Sequence, residues 1–243
     1  MSDLFTVAHI AQLHEIQKAR LKRGLPGIGP ELEELIARLT KGGVAKLIPS
    51  KDINIDPWFS EVIRQVQVLW DKGFGREQGI KDLDSYLSTI PEIPNALRAD
   101  DERFPLLILV DGRVGITAAC RLAGLKYAGD DDTLKPYDAA KARRGIRWMR
   151  CQDGRRNRNR SVQNCRQSFA PSEVGLDAIE GVAIYVQRPE VIQDNFMDLP
   201  NSVDAESRDD VTFLGIGEYG PKLYCLWNDG ASSGHGSASR LDT

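Results

Sequence analysis

The chain reads as an α+β protein: an N-terminal helical hairpin over residues 1–50, then a mixed domain over 58–240 with a small, partly antiparallel sheet. Three observations predict this. Apolar residues recur at helical spacing through most of the first 90 residues. One short, wholly apolar run, Leu106 to Val110, lies between Pro105 and Gly112. Two strand-like runs, Val211 to Ile216 and Leu223 to Trp227, flank the turn Gly217-Glu218-Tyr219-Gly220-Pro221. Hydrophobic residues make up 41% of the 243 and charged residues 28%, enough for a buried core.

Residues 4–23 have an amphipathic helical pattern, with Val7, Ile10, Leu13 and Ile16 on one side. Arg20, Lys22 and Arg23 crowd the last turn, where exposed carbonyls favour cations, and Gly24 stops the helix. Pro26-Gly27-Ile28-Gly29 is a turn. Pro30 opens a second helix with the face Leu32, Leu35, Ile36 and Leu39, ended by Gly42-Gly43. The pair forms the hairpin, read as a packing arm or a contact for self-association or a protein partner. A connector with Pro49 and Pro57 leads to a helix from Trp58 that Gly73 closes. Leu83, Tyr86, Leu87 and Ile90 space another before Pro91.

Leu106 to Val110 reads as a buried strand, because it is short and apolar on both faces. A helix over about 114–123 follows, ending at Gly124. Asp130-Asp131-Asp132 reads as a solvated turn or helix cap, since a calcium loop needs different spacing. Asp177 precedes Glu180 by three, the spacing of a capping box, and opens a helix ended by Pro189. The hairpin over 211–227 comes next. Asp198 and Ser202 are read as framing a turn, and the Gly- and Ser-rich stretch 229–243 as a partly disordered tail.

Charge and cysteine usage exclude little. The net charge of −3 points to no particular partner. No apolar run approaches the roughly 20 residues of a membrane helix, and the start has no basic-then-apolar signal, so the expected compartment is the cytoplasm. Cys120, Cys151, Cys165 and Cys225 include no close pair and read as free thiols, neither zinc ligands nor disulfides.

No catalytic or cofactor motif stands in its own context. Gly215-x-Gly217-x-x-Gly220 matches a dinucleotide fingerprint literally, but a strand and not a helix follows, so the glycines belong to a hairpin turn. His235 with Asp229 and a serine would make a triad only by chance proximity. His9 and His14 are five apart, off the spacing that aligns two metal ligands on a helix.

The strongest local departure from the average is 141–166, read as an arginine-rich loop. Ten basic residues against the single acid Asp153 give a local balance of +9. Arg155, Arg156, Arg158 and Arg160 alternate with asparagines, a combination suited to phosphates and base edges, and Trp148 is placed to stack on a base. The competing reading pairs these arginines with acidic groups of this protein or a partner.

A set of motifs recurs in order in the second half. These are Leu176-Asp177-Ala178-Ile179-Glu180-Gly181-Val182-Ala183, Pro189-Glu190-Val191 and Asp198-Leu199-Pro200-Asn201-Ser202. Gly220-Pro221-Lys222-Leu223, Cys225-x-Trp227 and Gly236-Ser237-Ala238-Ser239 follow. Over about residues 65–240 this order resembles an uncharacterised bacterial family, mainly actinobacterial, known as a domain of unknown function. The resemblance implies a bacterial, cytoplasmic α/β protein and no particular activity. Its recurring polar positions Glu180, Asp198, Ser202, Lys222 and Ser237, with His235 added as a candidate, are read as one polar surface. Three functions follow as expectations: a non-catalytic binding or assembly protein, a nucleic-acid-binding protein acting through 141–166, or an enzyme using that polar surface.

Overall fold

The computed structural model describes residues 57–227 and 230–242. The expected hairpin over 1–50, with His9 and His14, lies outside the described residues. The described chain runs α1 (Pro57–Lys72), α2 (Phe74–Glu77), α3 (Leu83–Leu87), α4 (Asn95–Arg98), β1 (Leu106–Gly112), α5 (Ile116–Ala123) and β2 (Leu134–Pro136). It continues with β3 (Gly145–Gln152), α6 (Val162–Ser168), β4 (Glu173–Gly175), α7 (Ala178–Gln187), β5 (Phe196–Asp204), β6 (Asp210–Gly217), β7 (Gly220–Trp227), β8 (His235–Ser237) and β9 (Ser239–Leu241).

The expected small, partly antiparallel sheet is corrected: these strands make two sheets. The first has four strands in the order β1-β3-β9-β4, every pair antiparallel. The second has five, in the order β2-β5-β6-β7 with β8 also beside β5. All its pairs are antiparallel except β5–β8. Four strands sit where the sequence signals something else. β3 runs through the supposed arginine-rich loop, β5 through the supposed turn at Asp198 and Ser202, and β8–β9 through the supposed disordered tail.

The reasons are physical. β3 buries Trp148 to Gln152 although Arg147 and Arg150 interrupt its apolar pattern, because those guanidinium groups find partners. β5 buries Met197 to Val203 on both faces, including three polar side chains and Pro200, so no alternation marks it. β9 is held by pairing on both sides, with β3 and β4, and β8 by pairing with β5, not by side-chain propensity.

Other expected elements are found. β1 is buried through its middle five residues. It is also a sheet edge, and Gln65 of α1 covers part of it. The Gln65 side chain donates to the Leu107 carbonyl at 2.6 Å and accepts from the Leu109 amide at 2.7 Å, as a neighbouring strand would. β6 and β7 form the expected hairpin, closing across Gly217 and Gly220. Asp131 does cap a helix, accepting from the Thr117 amide of α5, the helix before it and not the next.

α7 begins with the expected capping box: Asp177 accepts from the Glu180 amide and Glu180 from the Asp177 amide. The helix packs on β1 of the first sheet and on β5 and β6 of the second. Gly181 permits this, since a Cβ there would lie 2.4 Å from the Leu199 side chain. Met197, Leu199 and Leu214 thus join the main core beneath α7. Strand alternation then turns Phe196, Asp198 and Phe213 to the opposite face.

Candidate functional site

On that opposite face, β5 and β8 run parallel, with Phe196 beside His235 and Asp198 beside Ser237. Nδ1 of His235 lies 2.8 Å from Oδ1 of Asp198. The Asp198 side chain is 1% exposed and that of His235 20%. An ionised carboxylate in this position accepts a hydrogen bond from Nδ1–H and so orients the imidazole. Burial pushes the Asp198 carboxyl above its ordinary range, and the His235 hydrogen bond draws it partly back.

The imidazole is walled by aromatic rings. Phe196 stacks on it with centroids 4.7 Å apart, and Phe213 meets it edge-on at 5.1 Å. Phe213 in turn stacks on Tyr224. Oδ2 of Asp198 and Oγ of Ser237, like Oη of Tyr224 further along this face, are buried with no hydrogen-bonding partner among the described residues. Asp198 and Ser237 are cross-strand neighbours.

β8 carries no large apolar side chain and is positioned by the segment before α6. Gln152 and Asn157 both donate to the Ser237 carbonyl, at 2.9 and 2.7 Å. The Asn159 amide donates to the Ser232 carbonyl. Gly154, at φ 93°, packs against Gly236 so closely that a Cβ on it would lie 2.1 Å from the Gly236 oxygen. α6 then packs across β5 and β8.

Of the six polar residues expected on one surface, the fold brings together Asp198, His235 and Ser237. Glu180 and Ser202 serve the start of α7 instead. Ser202 Oγ accepts from the Ala178 amide at 2.8 Å, and Glu180 lies 2.7 Å from both Arg147 and Arg240. Burial, then the neighbouring charge of Glu180, pushes the Asp177 carboxyl up to about 7. Lys222 stands on β7, separated from β5 by β6, with its ammonium over the Tyr224 ring.

The supposed arginine-rich loop is largely β3, a single turn and α6, and the four arginines expected to bind nucleic acid are engaged. Arg155 pairs with Asp153 and Asp194. Arg156 reaches Glu173 and the Arg103 carbonyl. Arg158 bonds Asn195 and the Asp194 carbonyl, and Arg160 bonds Asn157 and Ser168. Trp148 is buried and donates to the Pro91 carbonyl at 2.9 Å.

No family model, curated protein or solved structure matches the chain. The site therefore rests on its own geometry.

Sequence reasoning missed the aromatic wall of Phe196, Phe213 and Tyr224 and the support from Gln152, Gly154 and Asn157. A signal was present: Phe196/Asp198 and His235/Ser237 each have the two-residue spacing of one strand face. Among the described residues, no group of three or more His, Cys, Asp or Glu is placed to hold a metal ion. No described helix is long and apolar enough to cross a membrane.

Proposed function

We propose that this chain is a non-catalytic binding protein whose ligand docks on the second sheet at Asp198, His235 and Ser237. One observation carries the reading. The Asp198 carboxylate is buried, gives one oxygen to His235, and leaves the other without a partner among the described residues, beside the equally unpartnered hydroxyl of Ser237. Burying a charged acceptor unsatisfied costs about 1–3 kcal/mol or more, so folds rarely keep such a pair without use.

The other two expectations have less support. Nucleic-acid binding through Arg155, Arg156, Arg158 and Arg160 would first have to displace their protein partners. Catalysis has the oriented imidazole, but no hydroxyl or thiol of the described residues hydrogen-bonds its Nε2. A bacterial cytoplasmic setting belongs to this proposal as well. It is supported by the family resemblance and by four cysteines that are all free thiols.

The test uses the scarcity of histidine. The chain has only His9, His14 and His235, so imidazole NMR signals can be followed individually. A mixed panel of cationic, anionic and neutral fragments is titrated into the full chain. The expected result is a fragment that moves the His235 ring signals and does nothing to them in Asp198→Asn. A panel that leaves His235 unmoved throughout would remove the proposal.

A further inference from the structure

We infer that the site takes a primary ammonium group, whose N–H bonds reach Oδ2 of Asp198 and Oγ of Ser237 while its hydrocarbon part lies against Phe196 and Phe213. The inference rests on the binding reading above and supplies its ligand class.

Three properties of the site select this chemistry. The first is donor–acceptor count. An ionised carboxylate only accepts hydrogen bonds, and a serine hydroxyl has two lone pairs with which to accept. Asp198 and Ser237 are cross-strand neighbours, so one atom carrying several N–H bonds can serve both. An ammonium nitrogen has three.

The second is charge. The Asp198 side chain is 1% exposed, and its ion-pair contact among the described residues is with His235 and not with a lysine or arginine. Arg158 is drawn to Asp194 and Asn195, and Lys222 lies over Tyr224 beyond β6. A carboxylate or phosphate ligand would meet Asp198 charge against like charge. A divalent cation would ask for more oxygen and nitrogen ligands than the described residues gather.

The third is the wall. Phe196 and Phe213 lie on the same sheet face as Asp198 and pack against the imidazole that it holds. Ring faces attract a cation, and the rings exclude the water that would otherwise solvate it.

The experiment is calorimetric titration of the full chain with benzylamine, methylammonium, tetramethylammonium, acetate and benzyl alcohol, read together with the His235 ring signals. Benzylamine is expected to bind and to shift His235. Tetramethylammonium has the charge but no N–H, and is expected to bind at least about tenfold more weakly, the worth of a charge-assisted hydrogen bond. Asp198→Asn and Ser237→Ala are each expected to weaken benzylamine, Asp198→Asn by about tenfold or more. Tighter binding of Nα-acetyl-lysine amide than of benzylamine would keep the ammonium assignment and name a protein lysine as its source.

Binding of acetate or benzyl alcohol at His235 without binding of amines would overturn the ammonium and leave the binding site standing. Silence of every probe at His235 would overturn both. If Asp198→Asn does not fold by circular dichroism, Ser237→Ala and the wild-type ranking decide. Benzylamine binding unchanged in Ser237→Ala, with tetramethylammonium equally tight, sinks the inference.

Discussion

Asn157 donates to the carbonyl of Ser237 at 2.7 Å and so ties the arginine-bearing turn to the strand that carries His235. Both residues are buried. Replacing Asn157 with Ala leaves that carbonyl to Gln152 alone. The expected cost is about 1–2 kcal/mol in urea denaturation. Amide exchange at 236–239 is expected to quicken more than exchange in β1.

The arginines are expected to matter for stability more than for solubility. Arg155, Arg156, Arg158 and Arg160 are pinned to Asp153, Glu173, Asp194, Asn195 and Ser168. Partly exposed ion pairs contribute up to about 1 kcal/mol each. Changing all four to Ser is therefore expected to lower unfolding free energy by roughly 1–3 kcal/mol. An unchanged denaturation midpoint would mean that these side chains are free for a partner, and would return nucleic-acid binding to the front.

Gly154→Ala is expected to cost about 2 kcal/mol or more, because it meets two obstacles at once. The φ of 93° is unfavourable for any residue with a side chain, and the new methyl would press on the Gly236 oxygen. The variant's melting temperature measures the first effect. Loss of the His235 ring shift on ligand addition would report the second, since Gly236 adjoins His235. A variant that melts with the parent would exclude both.

Asp177 gives a pH prediction. Its folded carboxyl is pushed from 3.8 to about 7, chiefly by burial and then by Glu180. The folded state therefore binds this proton more tightly than the unfolded state does. Between these two values the native chain holds the extra proton, so this group's contribution to stability falls as pH rises. Asp177→Asn keeps a good helix cap without the charge. Relative to parent it is expected to gain stability from about pH 4 to pH 8, by up to about 4 kcal/mol. A constant difference between the two proteins across that range would exclude the shift.

The elements legible in the sequence were those whose residues declare themselves locally. Leu106 to Val110, the 211–227 hairpin and the Asp177–Glu180 box each carry their own signal within a few residues. What was illegible depends on distant pairing. Arg147 and Arg150 read as solvent-seeking until Glu180 and the Leu97 carbonyl are placed beside them. Ser237 and Ser239 read as tail until β5 and β3 flank them. Asp198 and His235 were both singled out from the sequence. Their 2.8 Å contact was not, because it exists only once β8 lies parallel to β5.

Residues 235–241 belong to both sheets, as β8 along β5 in one and as β9 between β3 and β4 in the other. The chain passes between them at Ala238, whose amide donates to Asp198 and whose carbonyl accepts from Leu176. This short stretch acts as a seam, and a seam cannot be opened from one cloth alone. Thermal or mechanical opening of either sheet at this place takes the other with it, so both are expected to melt in a single cooperative step.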